Sequence, residues 1–450
     1  MMLSAREASV KALYDIHKDS LYSQNAIKNY DENISKLEDR NLFRELVYGV
    51  LENQIFLDYI IKDLSKIKFK KIHPMILEIL RIGLYQLFFS DRIPESAAVN
   101  ESVKLAKIYG HKGSIGFVNG VLRNANRRKE EFLTIELDDS DEKLSVRYSH
   151  PTYLVEMWVE QYGKDFTIEL LKANNTSPKL NIRVNTLKND KDTLAKNLEE
   201  QGLDVSTCKI AKDCLILNNP NRITETKEFK NGLFTIQDES SMLVTEVMQA
   251  KENSIVLDIC SAPGGKSTHI AQWMNNKGLV VARDLNNDKL NLVRDNANRL
   301  GIDIIEIQLQ NALDIDDASI EKFDYCLLDA PCSGFGLLRR KPEIKLKRTK
   351  VDIESLIYLQ SRILDIAAKY VKVNGYLIYS TCTINKDENK GQIEHFLSKN
   401  NEFQLTPIVL ENNKIVSNTQ SLGYIELFPN IHATDGFFIA KMIKKDSLYK

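Results

Sequence analysis

Along the first 130 residues, apolar side chains return every three or four positions. Leu42, Phe43, Leu46, Val47, Val50 and Leu51 fall on one helix face. Pro74, a residue suited to a first helical turn, opens an apolar stretch that runs to Phe89. These patterns predict a small all-helical domain over residues 1–130. Between 145 and 235 the pattern is mixed. An amphipathic helix over 153–171 and strand-like pieces at 179–184 and 214–217 predict a small α+β subdomain there. From 236 to 446 apolar strands alternate with helices. The strands are expected at 254–260, 279–285, 304–308, 324–330, 375–381 and 437–443. Ile353, Leu356, Ile357, Ile363, Leu364, Ala367 and Val371 mark one of the helices. Strand and helix in alternation predict an α/β domain built on a parallel, doubly wound sheet covered on both faces. In such sheets ligands bind outside the carboxyl ends of the strands.

A chain of 450 residues exceeds what one hydrophobic core serves, which agrees with several domains. Its formal charge of -1 conceals strong local imbalance. Residues 104–129 hold seven Lys and Arg and no acid. That run suits an RNA phosphate backbone, with a solvated helix face as the other reading. Residues 130–142 then hold seven acids and no base, so 131–144 is read as an acidic linker. A second basic run, 339–350, has seven Lys and Arg against Glu343 alone. Close behind a strand end, it is a candidate clamp on RNA phosphates, or else a solvated helix start.

The six cysteines have no paired C-x-x-C spacing, the amino terminus is charged, and no apolar run approaches a membrane span. No metal, no membrane partner, no secretory signal and a cytoplasmic location are therefore expected, as is a monomer.

The strand segment 255–258 runs through Ile259 into Cys260, Ser261, Ala262, Pro263, Gly264, Gly265 and Lys266, followed by a helix. Two glycines let backbone amides approach a ligand closely. Gly265-Lys266-Ser267 has the tail of a Walker A loop, but that pattern requires glycine at 260, where this chain has Cys260, and Pro263 interrupts it. Asp284 ends the next strand, 26 residues after Asp258, where a carboxylate can bind ribose hydroxyls. A glycine-rich turn with an acidic second strand points to a nucleoside cofactor, and the absence of G-x-G-x-x-G argues against a nicotinamide.

Two further strand ends carry Asp329-Ala330-Pro331-Cys332-Ser333-Gly334 and Ser380-Thr381-Cys382-Thr383. Cys208, Cys214, Cys260 and Cys326 read as small buried hydrophobes. Cys332 and Cys382 instead follow apolar strands at the ligand-binding edge. A thiolate there can add to carbon 6 of a cytosine, which makes carbon 5 nucleophilic enough to take a methyl group. Position alone leaves open which sulfur attacks. Lys266 and nearby helix amino termini are candidates to lower the thiol pKa. Asp329 either hydrogen-bonds the base or caps the turn that follows it.

These segments resemble the RNA cytosine-C5 methyltransferases of the Nop/Sun group. Gln237-Asp238-Glu239-Ser240-Ser241 and Asp435-Gly436-Phe437-Phe438 match the same group. The front, with Asp39-Arg40-Asn41-Leu42-Phe43-Arg44 and Phe117-Val118-Asn119-Gly120, resembles the NusB type of RNA-binding domain. The resemblance implies a Rossmann-like methyltransferase sheet that uses S-adenosyl-L-methionine, preceded by an all-α NusB-like domain and an RNA-recognition-like subdomain. It implies a cytosine of small-subunit (16S) ribosomal RNA as target, Cys382 as nucleophile, and Cys332 as the residue that helps release product. It further implies that residues Cys260 to Lys266, Asp284 and Asp329 line the cofactor. Where the family has an aspartate toward the adenine, this chain offers Asn311.

An amino-group methyltransferase is the first alternative, but Asp329 is not followed by two prolines and an aromatic residue, and that class has no use for Cys382. An RNA-binding protein with a non-catalytic sheet is the second.

Overall fold

The computed structural model describes residues 2–19, 21–134, 140–218, 222–411 and 414–446. They divide into two compact units, Met1–Asn175 with Lys341–Lys347, and Thr176–Arg340 with Arg348–Lys450. The middle of the expected acidic linker, 135–139, lies outside the described residues.

The first unit is all helical. Its core is built by Ala5–Lys18, Ser23–Asp31, Leu37–Leu64, Pro74–Phe89, Glu95–Tyr109 and Lys112–Arg127. Phe43, Leu46, Val47, Val50 and Leu51, five of the residues that predicted a helix face, are fully buried. Pro74–Phe89 is apolar nearly all round because it runs through the centre of the unit; Leu80 and Leu84 are fully buried. The expected helix over 153–171 is two helices, Thr152–Tyr162 and Lys164–Asn174. Gly163, with φ +83°, breaks them, a backbone state that costs glycine little.

The segment Lys341–Lys347 packs inside this helical unit, which corrects its reading as an RNA clamp. Glu343 Oε1 accepts bonds from the Ser23 amide and hydroxyl at 3.0 and 2.9 Å. Lys345 is buried and donates to the Glu52 carbonyl, and Lys347 donates to the Leu21 carbonyl. Burial pulls the Lys345 amine down to about 7. An ammonium placed this way cannot meet a phosphate.

The second unit holds two sheets. The smaller is antiparallel in the order β2-β3-β1-β4, with β1 Leu180–Val184, β2 Asp204–Thr207, β3 Cys214–Asn218 and β4 Phe234–Ile236. The larger has the order β10-β12-β9-β8-β5-β6-β7, and β11 also pairs with β12. Its strands are β5 Ile255–Asp258, β6 Leu279–Asp284, β7 Ile305–Leu309, β8 Phe323–Asp329, β9 Val371–Thr381, β10 Phe403–Leu405, β11 Tyr424–Leu427 and β12 Phe437–Lys444.

The all-helical front, the small sheet and the larger α/β sheet are of the classes that the sequence predicts, but the helices Thr152–Tyr162 and Lys164–Asn174, expected in the small α+β subdomain, belong to the helical unit. Another feature differs: β5 to β9 are parallel to their neighbours, but β12 runs antiparallel to β9, so the sheet is mixed. Helices cover both faces. Cys326 and Leu328 pack with Ile363, Leu364 and Ala367 on one side, and Leu327 packs with Val247, Met248 and Ile270 on the other. This two-sided burial explains why β8 reads as a continuous apolar run. Among the described residues, no helix is long and apolar enough to cross a membrane.

Candidate active site

Adjacent strands β5, β6, β8 and β9 deliver the candidate residues to one edge of the large sheet. Parallel pairing of β8 with β9 sets Asp329 opposite Ser380, and the Ala330 amide bonds the Ser380 carbonyl at 2.8 Å. The two cysteine-bearing turns therefore start side by side. Cys332 Sγ and Cys382 Sγ lie 3.3 Å apart. A hydrogen bond to Cys382, burial, and the charges of Cys382, Glu388 and Asp329 all push the Cys332 thiol well above its ordinary value.

Lys266 comes from the first turn of the helix Gly265–Trp273. Its Nζ is 2.6 Å from Asp329 Oδ2, and Asp329 Oδ1 accepts from Ser380 Oγ at 2.7 Å. Burial opposes the charge on Lys266, but Asp329 and Cys382 outweigh it and hold the amine above its usual value. Asp329 is thus half of an ion pair beside the sulfurs rather than a turn cap.

The loop after β5 is held from β6. Asp284 accepts the Ala262 amide at 3.2 Å and the Asn286 amide at 3.1 Å, while the Ser261 amide bonds the Arg283 carbonyl at 2.9 Å. Asp258, fully buried, accepts from Ser267 Oγ at 2.6 Å, and burial lifts its carboxyl to about 7. Burial likewise pushes the Cys260 thiol up. Gly264 has φ +95°, and a Cβ there would approach the Val293 backbone within 3.0 Å, so the turn admits only glycine without strain.

Asp258 Oδ1 and Ser261 Oγ are buried without hydrogen-bond partners. Buried polar atoms left open beside a glycine turn, with Asp284 and Asp329 nearby, suit a ligand with ribose hydroxyls and a cationic amino acid end, as S-adenosylmethionine has. Asn311, by contrast, uses its side-chain oxygen locally on the Leu313 amide.

Some residues important to this architecture escaped the sequence reading. Glu388, fully buried, joins the two cysteine turns. Its Oε1 accepts the Ser333 amide at 2.7 Å and Gln360 at 3.0 Å, and its Oε2 accepts the Ser333 hydroxyl at 2.5 Å and Asn385 at 3.1 Å. Ser333 and Thr383, each next to a cysteine, share a further bond at 2.7 Å. The Gly336 amide bonds the Cys382 carbonyl at 3.0 Å, and the Gly436 amide bonds the Gly336 carbonyl at 2.9 Å. A Cβ on Gly336 would stand 1.9 Å from the Gly436 oxygen. Arg340 pairs with Asp435 at 2.6 Å and Asp238 at 2.7 Å, and Arg339 with Asp435 at 3.2 Å. These two arginines of the second basic run are therefore internal ties between the segments at 238 and 435.

Arg183, on β1 of the small sheet, is fully buried. It bonds Gln237 and donates to the Gly265 carbonyl at 2.7 Å and Thr268 Oγ1 at 3.0 Å. The available signal was a lone charge inside an apolar strand.

Comparison with known proteins agrees with this organisation. The family model described as 16S rRNA methyltransferase RsmB/F matches residues 245–443, the NusB family model matches 3–127, and the ferredoxin-like domain of RsmF/B-like methyltransferases matches 150–224. A "Probable ribosomal RNA small subunit methyltransferase B" of Bacillus subtilis (strain 168) is 38% identical over 98% of this chain and 99% of its own length. The protein of the same description from Synechocystis sp. (strain ATCC 27184 / PCC 6803 / Kazusa) is 35% identical over 98% of this chain and 100% of its own. Among solved structures, PH0851 aligns with a TM-score of 0.81 at 26% identity, covering 99% of this chain and 100% of that one. Full-length identity of this order, with three domain models matching in sequence order, shows that the chain belongs to the 16S rRNA methyltransferase RsmB/F family.

Proposed function

We propose that this protein transfers a methyl group from S-adenosyl-L-methionine to carbon 5 of a cytosine in small-subunit ribosomal RNA, through a covalent bond between Cys382 and carbon 6. The observation that carries the proposal is the pair of sulfurs 3.3 Å apart beside the Lys266–Asp329 ion pair. An amino-group methyltransferase needs neither sulfur.

The residues Cys260 to Lys266 with Asp284 and Asp329 are assigned to the cofactor, which supplies an electrophilic methyl group when bound. Asn311 is retained as the candidate facing the adenine. Cys382 is assigned as the nucleophile, with the Cys332 sulfur 3.3 Å away as its hydrogen-bond partner. The Lys266 ammonium offsets negative charge on the Cys382 sulfur. Adding the thiolate to carbon 6 delocalises electrons toward carbon 5 and N3, and the Asp329 carboxylate, paired with Lys266, is the group available to accept from the cytosine amino group and orient the ring. In product release a base takes the carbon 5 proton, the freed pair restores the bond between carbons 5 and 6, and the carbon–sulfur pair returns to Cys382 as thiolate. Cys332 is assigned to this release step.

Mapping 5-methylcytosine in small-subunit ribosomal RNA from cells with and without this protein tests the reading. One cytosine should lose its mark without the protein and regain it on incubation with protein and S-adenosyl-L-methionine; methylation at an exocyclic nitrogen would overturn it.

The NusB-like unit is proposed to bind ribosomal RNA phosphates through the helix Lys112–Arg127. Arg128 is engaged by Asp63 at 2.7 Å and Glu131 at 2.5 Å, whereas Arg123 and Arg127 contact the neutral Asn119 and Asn124. Lys112, Arg123 and Arg127 are exposed. Their joint replacement by Gln should weaken RNA binding and flatten the slope of log affinity against log salt by roughly 2, with cofactor affinity unchanged. An unaltered slope in a salt titration would remove this surface from consideration.

A further inference from the structure

The cysteines Cys208 and Cys214 take no part in the proposed reaction, and their six-residue separation gives no metal signature in the sequence. The fold brings them together. Cys208 directly follows β2, Cys214 begins β3, and the turn between them bonds the helix Glu239–Met248 through Glu239 and Glu246. Sγ of Cys208, Sγ of Cys214 and a carboxylate oxygen of Glu239 all lie within 4.8 Å of one another. Tetrahedral ligands on bonds of about 2.0–2.3 Å stand roughly 3.3–3.8 Å apart, so small side-chain rotations accommodate one ion.

The turn itself adds a second observation. The amides of Ile210 and Ala211 both point at Cys208 Sγ, each at 3.3 Å, and Asn181 Nδ2 donates to Cys214 Sγ at 3.5 Å. Amides two and three residues beyond a cysteine that converge on its sulfur stabilise the thiolate, the form that ligates metals. Glu246, from the same helix as Glu239, accepts the Lys212 amide in this turn.

We infer that Cys208, Cys214 and Glu239 form a site for one thiophilic divalent ion of the zinc type, with water as its fourth ligand. Glu239 Oε2 accepts from Cys208 Sγ at 2.6 Å, and an ion would take the place of that proton as the bridge between the two groups. The ion would clamp the hairpin of the small sheet to the helix that Asp238 caps.

The test uses full-length protein, reduced, stripped with a chelator, and titrated with Co2+. One cobalt per chain should bind, with thiolate-to-cobalt charge-transfer bands and the d–d bands of a tetrahedral ion. Zn2+ should abolish both. The bands should survive in the Cys332→Ser, Cys382→Ser double variant and vanish in the Cys208→Ser, Cys214→Ser double variant. Glu239→Gln should weaken cobalt binding at least tenfold. Because folding of the Cys208 and Cys214 variant is itself at stake, the melting temperature of wild-type protein is a second readout, and it should rise with added Zn2+. Absent bands in wild-type protein, or bands lost only with Cys332 and Cys382, would overturn the inference. So would a Cys208–Cys214 disulfide in freshly purified protein combined with no cobalt spectrum after reduction.

Discussion

Cys332→Ser protein, incubated with S-adenosyl-L-methionine and its RNA, will accumulate a covalent protein–RNA adduct that survives denaturing electrophoresis. Cys382→Ser protein will form none, and its methyl transfer will fall by on the order of 10³-fold or more, since removing a nucleophile forfeits the covalent route. The opposite outcomes expected from two sulfurs 3.3 Å apart make this a sharp experiment. Were both cysteines redundant, either variant alone would retain turnover. An adduct on the Cys382→Ser protein would exchange the two roles. The expectation rests on the proposed division of roles: the charge of Cys382 acts on Lys266, while a hydrogen bond to Cys382, burial and the charges of Glu388 and Asp329 push the Cys332 thiol well above its ordinary value.

Glu388→Ala is the second change with a large expected effect. The carboxylate is fully buried and accepts from Ser333, Gln360 and Asn385, so truncation strands several donors away from water. Each buried donor left unsatisfied costs roughly 1–3 kcal/mol, and a total loss of about 3 kcal/mol would lower Tm by roughly 6–12 °C. Function should suffer at temperatures where the protein is still folded, because Glu388 connects the Cys332 turn to the Cys382 turn. Adduct formation by the Cys332→Ser, Glu388→Ala double variant should therefore drop well below that of Cys332→Ser alone, while cofactor affinity changes little. A thermal melt together with an adduct assay well below the melting temperature separates the two effects. An unchanged adduct yield would reduce Glu388 to a purely structural residue.

Most of the large sheet was legible along the chain. The strands β5, β6, β8, β9 and β12 carry apolar runs, and burial on both faces makes them legible. Four other strands were not visible. β2 is largely exposed and polar, β4 and β10 have three residues each, and β11 pairs only along the edge of β12, so none produces a periodic signal. Gly163 divides what periodicity alone reads as one helix. Strand direction was also out of reach: β12 is as apolar as the parallel strands of the sheet, yet it pairs antiparallel with β9.

The sequence by itself determined the three-domain order, the α/β class of the catalytic part, and the short list of chemically competent residues at strand ends, because those features depend on local periodicity and on residue type. Tertiary structure decided which charges are available and which groups meet. The two basic runs look alike in the sequence. One leaves Lys112, Arg123 and Arg127 in solvent, while the other sends Lys345 into a helical core and spends Arg339 and Arg340 on Asp435 and Asp238. Cys332 and Cys382 are 50 residues apart along the chain and 3.3 Å apart in space; Cys208 and Cys214, dismissed by their spacing, come together at a hairpin with Glu239. The physical reason is common to all of these. Charge state, proton sharing and ligand sets depend on burial and on contacts between distant segments, which periodicity within a single segment does not encode.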